Sequence, residues 1–277
     1  MKIDNNTVAV VTGAASGIGR ALAVRLAQEG AHLAICDVNE ADLKETARMA
    51  LEKAGQPGVK ITTHVVDVSD RKRMAAFVDE VVGDHGRAHL VINNAGVALG
   101  GTVEELAIED IEWLMSINFW GMVYGTKMFL PILRKQPRGH LVNISSIMGI
   151  AAAPGHAAYA ASKFAIRGFT EALRHELIGS NVTVSCVHPG GIRTNIARNA
   201  KAGAGVDRSV VEKEIAFFDK VARTLPEQAA DRIVRGVLRD EKRILIGQDA
   251  WVIEKVQRLM PVGYWKLLGK LIEGLAK

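Results

Sequence analysis

Residues 8–19 read Val8-Ala9-Val10-Val11-Thr12-Gly13-Ala14-Ala15-Ser16-Gly17-Ile18-Gly19. The opening run is apolar and β-rich, as suits a strand buried on both faces. Three glycines follow at once, and a helical pattern begins at residue 17. Strand, glycine-rich turn and helix in that order are the setting that a dinucleotide needs. Gly13 would allow the tight turn. Gly17 would let the backbone approach a pyrophosphate, whose charge then meets the helix N-terminus. The spacing is G-x-x-x-G-x-G, one residue longer than the usual fingerprint, and a glycine-rich turn without a ligand is the competing reading.

Outward from this stretch the same alternation continues. Strand-like runs lie at 7–12, 32–36, 60–66, 88–93, 139–144, 183–188 and 243–246. Helix-length segments lie between them at 17–28, 40–53, 71–83, 108–133 and 157–178. Several strands are apolar throughout. This argues for βαβ units with right-handed crossovers, hence an α/β fold: a Rossmann-type, doubly wound, mainly parallel seven-stranded sheet flanked by helices. One domain over 1–277 is expected.

Composition agrees. The chain has 277 residues, 48% of them hydrophobic, which is enough for a large core. Its formal charge of +5 is scattered rather than blocked, which argues against nucleic acid as a partner. Cys36 and Cys186 sit in apolar runs and read as buried free thiols of a reducing compartment. The polar start and the lack of a long uncharged apolar run predict no signal peptide and no spanning helix, so a cytoplasmic protein is expected. No clustered ligands suggest a metal.

Acids and amides stand at successive strand ends. Asp37 closes the second strand, 18 residues past Gly19, where a carboxylate can hydrogen-bond both hydroxyls of an adenosine ribose. Its charge would repel a 2′-phosphate, and Ala14, Ala15 and Val38 are not basic. NAD is therefore expected over NADP. Asp37 also fits a helix cap, and Arg20, the nearby cation, reads as a helix-surface residue. Asp67 and Val68 end the third strand, where an acid could bind the adenine amino group or cap the next helix. Asn93-Asn94-Ala95-Gly96 ends the fourth, where small residues let a cofactor pass close to backbone.

Tyr159-Ala160-Ala161-Ser162-Lys163 supplies the chemistry. A tyrosine and a lysine four apart share one helix face. An ammonium that close favours the ionised phenol, so the Tyr159 pKa is expected to fall. A tyrosine tuned towards neutrality can exchange a proton with an alcohol or ketone.

Together the motifs resemble one family, the short-chain dehydrogenases/reductases. The matching residues are Thr12-Gly13-x-x-x-Gly17-Ile18-Gly19, Asn93-Asn94-Ala95-Gly96, Asn118, Ser146, Tyr159-x-x-x-Lys163 and Pro189-Gly190, in the family's order across residues 7 to about 195. The resemblance implies Tyr159 as general acid/base and Lys163 as the group that binds nicotinamide-ribose hydroxyls and lowers the tyrosine pKa. Ser146, 13 residues before Tyr159, would hydrogen-bond the reacting oxygen, and Asn118 would hold a water on a proton path from Lys163. It also implies cofactor contacts from Gly13, Ser16, Gly17, Ile18, Gly19, Asp37, Asp67, Val68, Asn94, Ala95, Gly96, Tyr159, Lys163, Pro189, Gly190, Ile192 and Thr194. The implied activity is NAD-dependent interconversion of a secondary alcohol and its ketone, in a homodimer or homotetramer. An NADP-linked carbonyl or 3-oxoacyl-carrier-protein reductase is the alternative enzyme, and a catalytically idle NAD-binding regulator the alternative of another class.

The pattern loosens over 197–225, where 201–205 reads as flexible and 212–222 as helical. The resemblance makes this segment a substrate lid. Met148, Ile150, Ala98 and Leu99 would border the site with few charges, so a hydrophobic small-molecule alcohol or ketone is expected. The tail over 250–277 carries Trp251, Val252, Val256, Leu259 and Met260, then Trp265, Leu268, Ile272 and Leu275, at helical spacing. Packing on its own domain or a sister subunit is favoured over contact with an anionic membrane surface, although Lys255, Arg258, Lys266 and Lys270 lie among the apolar residues.

Overall fold

The computed structural model describes residues 1–203 and 205–276, and side chains through Lys270. In chain order the strands are β1 (Val8–Thr12), β2 (His32–Asp37), β3 (Ile61–Val65), β4 (Leu90–Asn93), β5 (Leu99–Gly100), β6 (Gly139–Ile144), β7 (Val182–Pro189), β8 (Lys201–Ala202) and β9 (Arg243–Ile246). The helices are α1 (Gly17–Gln28), α2 (Glu40–Glu52), α3 (Arg71–His85), α4 (Ile108–Met115), α5 (Gly121–Arg134), α6 (Ala157–Glu176), α7 (Arg208–Val221), α8 (Pro226–Leu238), α9 (Gln248–Leu259) and α10 (Tyr264–Ala276).

Seven strands form one sheet in the order β3-β2-β1-β4-β6-β7-β9, every pair parallel. The expected doubly wound architecture is present. Winding starts at β1, runs to β3, then restarts from β4 on the other side of β1. Loops from both halves therefore meet at the carboxyl ends of β1 and β4, where such sheets bind ligands. Both faces are covered, which explains why β1 and β6 are buried at every position. On one face α1 and α8 pack Leu22, Leu26, Ile233 and Val234. On the other, α3, α5 and α6 contribute Phe77, Phe129 and Leu173. Phe77 and Phe129 meet edge to face at 5.9 Å. Cys36 and Cys186 are buried and unbridged. No helix among the described residues is long and apolar enough to cross a membrane.

Some expectations are corrected. The helix read over 108–133 is interrupted by a π-helical turn at Ser116–Trp120, between α4 and α5. The wider turn places Asn118 inside. The stretch 201–205 is not a free loop. Its first two residues form β8, paired in parallel with β5, and Gly203 N donates to Gly100 O at 3.1 Å. Lys201 Nζ stands 2.5 Å from Asp110 Oδ1, tying β8 to α4. Ala204 lies outside the described residues. The helix read over 212–222 begins earlier, at Arg208, where Asp207 caps it by accepting from Ser209 N at 2.7 Å. The sequence reading had no counterpart of α8.

The tail forms α9 and α10 and packs on its own domain only in part. Ala250 and Leu268 are buried, whereas Trp251, Val252, Leu259 and Met260 are exposed. Ile272 and Leu275 lie outside the described side chains.

Candidate active site

Gly13 and Gly17 have positive φ, +65° and +52°, which L side chains rarely adopt. The turn is also too tight for side chains. A Cβ on Gly13 would lie 2.7 Å from Ala95 Cα, and one on Gly19 2.0 Å from Gly13 O. Asn94 fastens the turn: its Nδ2 donates to Thr12 O at 2.9 Å and Gly13 O at 3.0 Å. Thr12 Oγ1 in return accepts from the Asn94 and Ala95 amides, both at 3.0 Å. Asn94 therefore holds the turn from below. Ser16 is the N-cap of α1, but its side chain makes no capping hydrogen bond. The helix N-terminus keeps its donors for an anionic group, so the turn fits a pyrophosphate.

Asp37, at the end of β2, accepts from Ala15 N through Oδ2 and from Asn39 N through Oδ1, both at 3.0 Å. It is a turn acid in this respect, and each oxygen keeps a further lone pair for a ligand hydroxyl. Arg20 is more than a surface residue. It bonds the Ala15 carbonyl, Thr46 Oγ1 at 3.0 Å and Asp42 Oδ1 at 3.1 Å, stapling the glycine turn to α2. Asp70 is the cap of α3, accepting from Lys72 N at 2.8 Å and Arg73 N at 3.1 Å. Asp67 instead accepts from Ser69 N at 2.9 Å and Ser69 Oγ at 2.7 Å, and is exposed at the strand end. Val68 is buried against the first turn of α5: a Cβ on Gly121 would lie 2.7 Å from Val68 Cγ2.

The second group of residues gathers over β4 and β6. Ser146 accepts from Met148 N at 3.1 Å in the short 3-10 turn after β6, and its side chain stands close enough to Tyr159 to favour the ionised phenol. Ser145 points elsewhere, donating to Lys163 O at 2.8 Å. Lys163 is buried; its Nζ donates to Ile144 O at 3.3 Å and lies 5.5 Å from the Tyr159 ring centre. Asn118 grips Val97 twice, accepting from its amide at 2.8 Å and donating to its carbonyl at 3.0 Å. It also donates to Ser162 Oγ at 3.1 Å, and Ser162 donates to Tyr159 O at 2.7 Å. Gly96 leaves the space where these groups converge: a Cβ there would stand 3.1 Å from Asn118 Oδ1 and 3.3 Å from Lys163 Nζ.

The electrostatics correct the expected tyrosine shift. Burial pushes the Tyr159 phenol up to about 12, a rise that the nearby Ser146 opposes without reversing. Burial pushes Lys163 down to about 8. Both charged forms lose water here, and that loss sets the direction of both shifts. At neutral pH Tyr159 is thus a neutral phenol.

After β7 the chain turns back across the glycine turn. A Cβ on Gly17 would lie 3.1 Å from Thr194 Cγ2, and Ile192 is buried and bridged to Thr224. Arg193 donates to Ala222 O at 3.4 Å rather than reaching the site. Pro189 ends β7. Asp249, at the start of α9, accepts from Gly191 N at 2.6 Å, and a Cβ on Gly190 would strike its carboxylate at 2.2 Å. Asp249 therefore holds the loop that carries Ile192 and Thr194. No local pattern marks it, since its partner is 58 residues away. His188 is also unmarked: its Nδ1 lies 3.0 Å from Ser146 O, and burial lowers its pKa to about 4.

Leu99 and Ile150 are buried in the core rather than open to a pocket, while Met148 and His156 are half-buried. Tyr159 packs against an apolar cluster of Leu99, Leu106, Leu114 and Ala158, with Trp113 beside it. Tyr264, from the tail, reaches the segment between Ser146 and Tyr159 and bonds the Ala152 backbone.

Comparison with known proteins agrees with this geometry. The family described as short chain dehydrogenase matches residues 7–205. SadH of Mycobacterium tuberculosis, which carries the name of an oxidoreductase, is 44% identical over 273 residues, covering 98% of this chain and 95% of its own. A short-chain dehydrogenase/reductase from Burkholderia phymatum, solved in complex with NAD, superposes with a TM-score of 0.85 at 27% identity, covering 94% of this chain and 95% of its own. A short-chain dehydrogenase from Mycobacterium paratuberculosis, bound to NAD, gives 0.76 at 28% identity, with 90% and 98% covered. With its glycine turn, its Tyr159 beside a buried Lys163 and these relatives, the chain belongs to the short-chain dehydrogenase/reductase family and is an oxidoreductase of the NAD(P)-linked kind.

Proposed function

We propose that the protein interconverts a hydrophobic secondary alcohol and its ketone with NAD, through Tyr159, Ser146, Lys163 and Asn118. The observation that carries this reading is the buried Lys163 whose Nζ lies 5.5 Å from the Tyr159 ring centre, with Ser146 acting on the same phenol. When bound, the nicotinamide cofactor supplies the hydride acceptor or donor. Asp37 would hold its adenosine ribose and Lys163 its nicotinamide ribose, with the glycine turn at its pyrophosphate. Asp37 and the NAD found in two structural relatives support NAD over NADP.

Tyr159 Oη handles the proton. In ketone reduction the phenol donates it to the carbonyl oxygen, and in alcohol oxidation the phenolate removes it. Ser146 Oγ hydrogen-bonds the same oxygen and steadies its developing charge. Asn118 keeps Val97 and Ser162 in place beside Lys163, and so maintains the wall around the proton donor. The segment 197–225 acts as a lid, held closed by the β5–β8 pair and the Lys201–Asp110 bridge. A panel of secondary alcohols and ketones graded by size, followed at the NADH absorbance and repeated with NADPH, tests the reading. Turnover of none of them would overturn it.

A further inference from the structure

The outward side of the tail is unusual for a surface in water. At 100° per residue, Trp251, Val252, Lys255, Arg258 and Leu259 fall within about 120° of the α9 circumference. Ala250, on the other side, is buried. Trp251 is 54% exposed, Val252 53% and Leu259 81%. The turn that follows carries Met260 and Val262, the latter 94% exposed. On α10 the buried Leu268 and the bonded Tyr264 face the domain, while Lys266, Leu267 and Lys270 face out. The apolar tip is thus presented on anchored helices.

Its outward charges are of one sign. Residues 250–270 contain four basic side chains and one acid, Glu254. Glu254 is only 12% exposed and already paired with Arg243 at 3.3 Å and Arg258 at 2.7 Å. Lys255 Nζ stands 4.4 Å from the Trp251 ring. A two-fold contact between copies through this face would set its cations against themselves, which is repulsive. An anionic lipid surface complements them, and tryptophan, leucine and valine beside lysine and arginine are what an interfacial helix presents.

We propose that the outward faces of α9 and α10, with the turn between them, dock on an anionic phospholipid bilayer. Leu259 and Val262 enter the headgroup–acyl boundary, and Lys255, Arg258, Lys266 and Lys270 meet the lipid phosphates. This is peripheral contact and needs no spanning helix. It is also independent of the reaction, so failure of an alcohol assay leaves it standing.

The test is co-sedimentation of the full-length protein with vesicles of phosphatidylcholine alone or mixed with phosphatidylglycerol, at low and high salt. The wild type should pellet with the anionic vesicles and less so as salt rises. Leu259→Asp combined with Val262→Asp should lower partitioning at least about tenfold, and Lys266→Glu with Lys270→Glu should do the same. Unchanged NADH binding and thermal melting would show that the variants fold. Absence of wild-type pelleting, or equal pelleting of folded variants, would overturn the proposal. So would dissociation of an oligomer by these variants without vesicles, because the face would then be a protein interface.

Discussion

The Tyr264 hydroxyl donates to the carbonyl of Ala152 and accepts from its amide, both at 3.1 Å, across 112 residues of chain. The segment it grips joins the Ser146 turn to the helix that bears Tyr159. At its far end Gly101 N donates to Gly155 O at 2.9 Å, so the segment is held twice. Tyr264→Phe keeps the ring and removes both bonds. Hydrogen exchange over 150–156 should quicken by about thirtyfold, since each of the two lost bonds is worth about 1 kcal/mol and about 1.4 kcal/mol is a factor of ten. Exchange in β1 should stay unchanged.

Tyr159→Phe removes the proton-carrying atom and little else. NADH binding, read by fluorescence titration, should persist. Turnover should fall by roughly 10²–10⁴, the usual contribution of general acid/base help. Retained turnover would move the proton role to another group.

Asp37→Ala removes the charge that repels a 2′-phosphate. The ratio of NADH to NADPH affinity should fall by at least about tenfold, equivalent to about 1.4 kcal/mol. The variant also loses the bonds to the Ala15 and Asn39 amides, so its unfolding midpoint should drop. Paired titrations with both cofactors separate the two effects.

Asp249→Ala leaves the Gly191 amide without its carboxylate and opens space beside Gly190. NADH affinity should weaken several-fold while the unfolding free energy falls by only about 1–2 kcal/mol, because the carboxylate sits at the surface. Unchanged NADH affinity would show that the loop after β7 holds its shape without Asp249.

Two buried histidines contribute to the acid limit of stability. Burial lowers His188 to about 4 and His140 to about 3, from an ordinary 6.5. Both are neutral in the folded protein, and the unfolded chain binds more protons below 6.5. Their contribution is therefore complete above pH 6.5 and is lost as pH falls towards 4 and then 3. Across that window the loss is on the order of 3 kcal/mol for His188 and on the order of 5 kcal/mol for His140. Denaturant unfolding from pH 7 to 4 measures the slope, and His140→Gln should flatten it whatever its effect at pH 7.

The sheet was legible because its signals are local. β1, the glycine turn and α1 occupy consecutive residues, and their apolar periods and glycines report directly on backbone shape. Ser146, Tyr159 and Lys163 share that legibility through fixed spacing, and the structure brings them together. Asp249 and Tyr264 escape such reading because each meets a partner more than fifty residues away through one hydrogen-bonding atom. The Tyr159 shift has the opposite sign to the one its spacing from Lys163 predicts, because spacing shows a nearby ammonium but not the desolvation that raises the phenol. The π turn at Asn118 hides inside an ordinary helical pattern. In the tail, helical spacing shows a stripe without saying whether it faces the core or the solvent.

One consequence of the all-parallel sheet concerns its other edge. The glycine turn, Asp37, Asn94, Ser146 and Thr194 all follow the carboxyl ends of strands. The amino ends therefore emerge on the far side, where Pro137, Arg138, Ser180 and Asn181 are exposed in short turns before β6 and β7. That rim is a natural handle. A reporter domain or surface tether grafted there would leave the reacting edge facing outward, so an immobilised enzyme would be oriented by its own strand direction.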